Sequence, residues 1–131
     1  MACDSSCATC SSISVCTTCP YATQVTVSGK CTCASGKYFD SVSSACITCS
    51  STCITCSVIG TNCTSCDIST QKRILSGNTC VCTTGYKDTG VTNCAACSYT
   101  CLTCDTTGCL TCNATARRTK SGTSCVCSQG F

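Results

Sequence analysis

Twenty-three cysteines in 131 residues fall into three copies of one spacing pattern, and no other property limits so severely what this chain can fold into. From Cys3 the gaps run C-x3-C-x2-C-x5-C-x2-C-x11-C-x-C-x12-C to Cys46. From Cys49 they run C-x3-C-x2-C-x6-C-x2-C-x13-C-x-C-x11-C to Cys94, and from Cys97 C-x3-C-x2-C-x4-C-x2-C-x12-C-x-C to Cys127. The third copy has no eighth cysteine, which predicts a tandem array cut mid-repeat. A period of this size reads as supersecondary units stacked on their sequence neighbours. The repeats are 3–48, 49–96 and 97–131.

Crosslinks have to stand in for an ordinary core. Cysteine is about 18% of the chain, 23 of 131 residues, and above roughly 8–10% it marks a disulfide scaffold in a secreted protein. Leu, Ile, Val and Phe together fall below the roughly 20% at which a conventional core becomes doubtful. Each repeat is also near the size at which disulfides or metals are needed for folding.

Disulfides persist in oxidising surroundings, so the expected location is extracellular or on the cell surface. The start, MACDSSCATC, has no basic stretch followed by an apolar run, so a removed signal peptide or an internal fragment is expected. No stretch approaches the roughly 20 apolar residues of a membrane span. Net charge is +3, with one small basic cluster at Arg117, Arg118 and Lys120. Neither a basic stripe nor a nucleic-acid-binding module is visible, which argues against a nucleic-acid partner.

Aligned on their cysteines, the repeats share more than sulfur. The openings are CDSSCATC (3–10), CSSTCITC (49–56) and CSYTCLTC (97–104), followed by CTTC (16–19), CTSC (63–66) and CLTC (109–112). Ser-Gly then precedes C-x-C in SGKCTC, SGNTCVC and SGTSCVC, and Gly precedes an aromatic in GKYFD, GYKD and GF. Val25-Thr26-Val27 and Arg73-Ile74-Leu75 read as strands turning back through Ser-Gly into C-x-C, because Gly supplies the positive φ of tight hairpin turns. Alternate strand residues share a face, so both sulfurs of C-x-C point the same way. Gly36-Lys37-Tyr38-Phe39 and Gly85-Tyr86 open a second hairpin, with Asp40-Ser41 and Asp88-Thr89-Gly90 as its turns. The openings are too cysteine-dense and β-branched for more than one helical turn each. Helix should be nearly absent.

This series of C-x3-C-x2-C, C-x2-C, a hairpin, a closely spaced cysteine, Gly-aromatic and a closing cysteine resembles the furin-like, or growth-factor-receptor, cysteine-rich repeat. The Ser/Thr-rich form with C-x-C, as in SGNTCVCTTGY, looks most like the cysteine-rich surface proteins of ciliates and other protists. The resemblance spans the whole chain and implies a small disulfide-rich fold: tandem repeats of short β-hairpins in an extended rod. It also implies bridges from first to third, second to fourth, fifth to sixth and seventh to eighth cysteine. These are Cys3–Cys10, Cys7–Cys16, Cys19–Cys31 and Cys33–Cys46; Cys49–Cys56, Cys53–Cys63, Cys66–Cys80 and Cys82–Cys94; then Cys97–Cys104, Cys101–Cys109 and Cys112–Cys125. Cys127 is left unpaired. The residues alone leave open the 105 pairings of eight cysteines. Elementary geometry adds only that a bridge inside C-x-C or C-x-x-C would close a strained ring.

Other chemistries compete for the same residues. Cys53, Cys56, Cys63 and Cys66 have a spacing that suits zinc, as do Cys101, Cys104, Cys109 and Cys112. The alternating C-x-C cysteines and the absence of His weigh against a metal. Thioredoxin-type redox work needs a βαβ scaffold, and none is present. A flat ice-binding face needs a short Thr-x-Thr period rather than one of 46 to 48 residues. With no His, no Glu and no recurring carboxylate pair, neither an enzyme nor a cofactor is expected. Asn113-Ala114-Thr115 and Asn62-Cys63-Thr64 match the N-glycosylation triplet; the middle residue of the second should sit in a bridge.

The expected function is that of a structural module in an extracellular coat, stalk or filament, associating with itself or with further repeats. The alternative is a recognition module of the furin-like type, whose possible anchors are Tyr21, Tyr38, Phe39, Tyr86, Tyr99, Phe131 and the Arg117-Arg118 pair.

Overall fold

The computed structural model describes residues 2–130; Phe131, one of the anchors named above, lies outside them. The chain forms two compact units, Met1–Ser65 and Cys66–Phe131. Their boundary falls inside the second sequence repeat, so each unit holds about one and a half repeats.

The first unit contains β1 (Thr9–Ser12), β2 (Val15–Thr18), β3 (Gln24–Val27), β4 (Lys30–Cys33), β5 (Lys37–Asp40), β6 (Ala45–Thr48), β7 (Thr55–Cys56) and β8 (Cys63–Ser65). They pair consecutively as four antiparallel two-stranded sheets. The second unit contains β9 (Arg73–Ser76), β10 (Thr79–Cys82), β11 (Tyr86–Lys87), β12 (Ala95–Ala96), β13 (Cys101–Cys104), β14 (Cys109–Cys112), β15 (Arg118–Ser121) and β16 (Ser124–Cys127), paired in the same way. Among the described residues the single helical element is a 3-10 turn at Ala114–Ala116. This is a small disulfide-rich β fold built from hairpins.

The Ser-Gly turns form as expected but in two ways. In β3–β4, Val27 opposes Lys30 and both turn residues, Ser28 and Gly29, have positive φ (50° and 76°), the geometry of a type I′ turn. SGNTC and SGTSC carry one more residue before the cysteine than SGKC. The strands stay four residues long, but Ser becomes their last residue: Ser76 opposes Thr79 and Ser121 opposes Ser124, and the glycine moves to the first turn position (Gly77 φ 62°, Gly122 φ 59°). That is where a type II′ turn needs it.

The openings add to the sequence reading. They are not helical, as expected, and with the following C-x-x-C they form a hairpin in each repeat that the sequence reading did not place (β1–β2, β7–β8, β13–β14), with register shifts that produce bulges. One threonine before the third cysteine of each opening bridges its two strands. Thr9 Oγ1 lies 2.6 Å from Oγ1 of Thr17 and of Thr18, Thr55 Oγ1 is 2.7 Å from Thr64 Oγ1, and Thr103 Oγ1 is 2.5 Å from Thr111 Oγ1. Such cross-strand hydroxyl pairs stabilise sheets by tenths of a kcal/mol up to about 1.

Among the described residues, every buried apolar side chain is a cysteine. Val42, Val58, Ile59, Ile68 and Val91 all remain more than half exposed. The interior is sulfur.

Candidate functional site

The disulfide framework determines which side chains meet. In the first unit Cys3–Cys10 and Cys7–Cys16 fasten the opening loop to its hairpin, and Cys19–Cys31 ties that hairpin to β3–β4. Cys33–Cys46 ties β3–β4 to β5–β6, and Cys49–Cys56 with Cys53–Cys63 closes β7–β8. The second unit holds Cys66–Cys80, Cys82–Cys94, Cys97–Cys104, Cys101–Cys109 and Cys112–Cys125. The Cα atoms of bridged pairs lie 5.1 Å to 5.8 Å apart, the usual range for a disulfide. Among the described residues Cys127 is unpaired and exposed.

Metal ligation needs thiolates, and the sulfurs of both zinc-spaced quartets are spent. Cys53 is bonded to Cys63, Cys56 to Cys49 and Cys66 to Cys80. In the other quartet Cys101 is bonded to Cys109, Cys104 to Cys97 and Cys112 to Cys125.

Between bridged elements the backbone approaches closely, and glycine permits it. The N–H of Cys109 donates to Thr123 O at 2.7 Å, as that of Cys16 does to Gly29 O. At Gly108, with φ 146°, an added Cβ would sit 2.4 Å from Thr123 O. The Gly of the Gly-aromatic motif has a different task. Gly36 and Gly85, both at positive φ, turn their carbonyls to accept the N–H of Cys49 and Cys97, closing one repeat onto the first cysteine of the next.

Among the described residues the one buried charged side chain is Arg73, 2% exposed. It opens β9 opposite Cys82. Its Nε donates to Thr92 O at 2.8 Å, Nη1 to Cys80 O at 3.1 Å and to Asp88 Oδ2 at 2.9 Å, and Nη2 to Val91 O at 2.9 Å. A planar fork with five donors suits such a cluster of carbonyls, and a lysine could not reproduce it. Sequence reasoning read Arg73 only as a strand residue. The one available signal was an arginine facing C-x-C with an acid in the next hairpin turn, and the first repeat lacks it: counted from the same cysteines, Gln24 and Phe39 stand there. Phe39 instead packs its ring 5.0 Å from that of Tyr21. In the third repeat Arg118 occupies the Arg73 position, opposite Cys127. It donates to Cys125 O at 3.3 Å and lies 5.6 Å above the ring of Tyr99.

All five acids serve turns. Asp4 accepts the N–H and hydroxyl of Ser6 at 2.9 Å and 2.7 Å, and Asp40 accepts those of Ser43 at 3.1 Å and 2.6 Å. Asp67 accepts the N–H of Ser69 and of Thr70 and the Thr70 hydroxyl. Asp105 accepts the N–H and hydroxyl of Thr107 and the N–H of Gly108. Asp88 joins Arg73 to the N–H of Gly90. Each carboxyl is held below its ordinary value because donors favour the anion. The leading donor is the Ser6 N–H for Asp4, the Ser43 hydroxyl for Asp40 and the Thr70 hydroxyl for Asp67. For Asp88 it is the Arg73 guanidinium, and for Asp105 the Thr107 hydroxyl. The short side chain of Asp reaches an N–H two residues ahead, which accounts for a chain with aspartate and no glutamate.

The two glycosylation triplets differ in setting. Asn113 caps the 3-10 turn from a loop whose next four residues are exposed or half-buried. Asn62 lies beside the buried, bridged Cys63 and donates Nδ2 to Ser57 Oγ at 3.3 Å.

Among the described residues the acids brace turns, the buried cation braces carbonyls and the sulfurs brace hairpins. No protein-family model, curated protein or solved structure matches the chain.

Proposed function

We propose that the chain is a non-enzymatic structural module of an extracellular or cell-surface coat, stalk or filament. The observation that carries this reading is the sulfur interior. Some disulfides fasten an opening to its own hairpin and others, such as Cys19–Cys31, Cys33–Cys46, Cys82–Cys94 and Cys112–Cys125, link neighbouring hairpins, while among the described residues no apolar side chain other than cysteine is buried. Closing a loop of about 15 residues removes roughly 3 kcal/mol of chain entropy from the unfolded state. That route to stability works in an oxidising compartment and fails in the cytosol, which supports an extracellular setting. The resemblance to furin-like repeats and the commitment of every acid to a turn point the same way. Cys127 is free to bond a further repeat or a second copy.

Single-molecule stretching tests the mechanical claim. The oxidised chain should lengthen only by the residues outside its closed loops, and the reduced chain should extend to full contour. Equal extension in both states would refute a stiffened module.

Recognition is the second reading, favoured by one observation. Tyr99 is 86% exposed and carries Arg118 over its ring, and Tyr and Arg are the residue types that anchor protein interfaces. One saturable partner in a pull-down, lost on replacing Arg117 and Arg118 together with alanine, would favour recognition over scaffold.

A further inference from the structure

We propose that Asn113 is an N-linked glycosylation acceptor and that Asn62, with an equally good triplet, is not. The inference rests on the extracellular reading above, since the modification is made in the secretory pathway. What separates the two sites is how each side-chain amide meets the hydroxyl of its own triplet.

At Asn113 the two groups meet. Oδ1 accepts the Thr115 N–H at 3.1 Å and the Thr115 hydroxyl at 2.5 Å. Nδ2, the atom to be modified, makes no hydrogen bond among the described residues. Ala114, Thr115, Ala116 and Arg117 are all exposed. The contact spans two residues and needs no disulfide, so it can form in the emerging chain. A hydroxyl donated to the amide oxygen draws electron density from nitrogen and makes an Nδ2 proton easier to remove.

At Asn62 the two groups are kept apart. Nδ2 donates to Ser57 Oγ, and the Thr64 hydroxyl pairs with Thr55 on the opposite strand. Cys63 between them is buried and bonded to Cys53. The Asn62 backbone is also engaged on both sides, its N–H donating to Ile59 O and its carbonyl accepting from Ser57 N–H. Once the Cys53–Cys63 bridge and its hairpin have closed, the segment cannot offer the amide and hydroxyl together, so Asn62 is accessible only in the interval before folding.

The donor required is a lipid-pyrophosphate-linked oligosaccharide. Its anomeric C–O bond to phosphate breaks, a bond from that carbon to Asn113 Nδ2 forms, one Nδ2 proton is lost, and lipid pyrophosphate departs as the leaving group. No redox change occurs.

The test is to secrete the full chain from a eukaryotic host behind a cleavable leader. Peptide:N-glycosidase is then applied in heavy-oxygen water, which marks each formerly glycosylated Asn as labelled Asp. Intact mass before and after alkylation counts the disulfides in the same sample. The expected result is label at Asn113, none at Asn62, and at least a tenfold loss of label at Asn113 in Thr115→Val, which keeps the branched shape without the hydroxyl. An unlabelled Asn113 in fully bridged protein overturns this inference and leaves the extracellular reading standing. Free thiols other than that of Cys127 in the secreted protein overturn the extracellular reading instead. Comparable label at Asn62 and Asn113 overturns the argument that geometry selects between them.

Discussion

Replacing Arg73 with alanine should release the hairpin that follows it while the disulfides stay closed. The β11–β12 ladder is only two pairs long, Tyr86 with Ala96 and Lys87 with Ala95. Beyond it, the Arg73 fork holds the Asp88 carboxylate and the carbonyls of Val91 and Thr92. Hydrogen bonds from a charged donor contribute about 1.5–3 kcal/mol each when deleted singly, and breaking a buried ion pair costs about 3–5 kcal/mol. These figures overlap rather than add. Asp88, with its side chain 55% exposed, regains water when Arg73 is gone, which places the cost near the lower bound, about 3 kcal/mol. Since 1.4 kcal/mol is tenfold in an equilibrium, amide hydrogen exchange across residues 86–96 should accelerate about a hundredfold, with exchange in β13–β14 unchanged. The Arg73→Lys variant should recover only part of the protection, because a point charge cannot serve four acceptors. Native-like exchange over 86–96 in the alanine variant would refute the view that one guanidinium organises this segment.

Four further outcomes follow from the same structure. Gly108→Ala places a Cβ 2.4 Å from a carbonyl oxygen in a strained φ region; the expected cost is on the order of 3 kcal/mol, read as a fall in correctly bridged protein on oxidative refolding. Gly122→Ala, with nothing within 4 Å, should cost only the left-handed backbone penalty of roughly 1 kcal/mol. Acid should loosen the turns: all five Asp carboxyls are depressed, so their stabilisation is present above the unfolded value of about 3.9. It is lost as pH falls through the lower folded values. Hydrogen exchange at the N–H groups of Ser6, Ser43, Thr70, Gly90 and Thr107, corrected for intrinsic rates, should rise below about pH 4, and flat protection to strong acid would contradict this. Replacing Cys19 and Cys31 together with serine should cost about 3 kcal/mol, seen as faster proteolysis between β2 and β3.

Much of this architecture is visible in the sequence because special backbone positions need special residues. Ser28-Gly29, Gly77 and Gly122 announce the C-x-C hairpins, and Gly36 and Gly85 announce the ones that follow. The opening hairpins were hidden because cysteines fill their strands and bulges break their alternation; only the repeated threonines Thr9, Thr55 and Thr103 hinted at a facing strand. The Arg73 cluster was hidden for a different reason. Three of its acceptors are backbone carbonyls, whose positions depend on how the 88–92 turn packs. The two side chains that could have signalled it are replaced by Gln24 and Phe39 in the first repeat. Nor does cysteine spacing mark the boundary between Ser65 and Cys66, because compactness is decided by contacts among hairpins rather than by the period that encodes them.

The sulfur interior also has a calorimetric consequence. The heat capacity of unfolding rises with the apolar surface newly exposed to water, about 12–15 cal/mol/K per residue in ordinary domains. Here the valines, isoleucines and leucines all keep 39% or more of their surface in water, and bridged cysteines have little more to expose while their bonds hold. The increment should therefore fall well below that range, and the curve of stability against temperature should flatten. A protein built this way has little to lose on cooling or on warming, and the chemical potential of electrons in its surroundings matters more to it than heat.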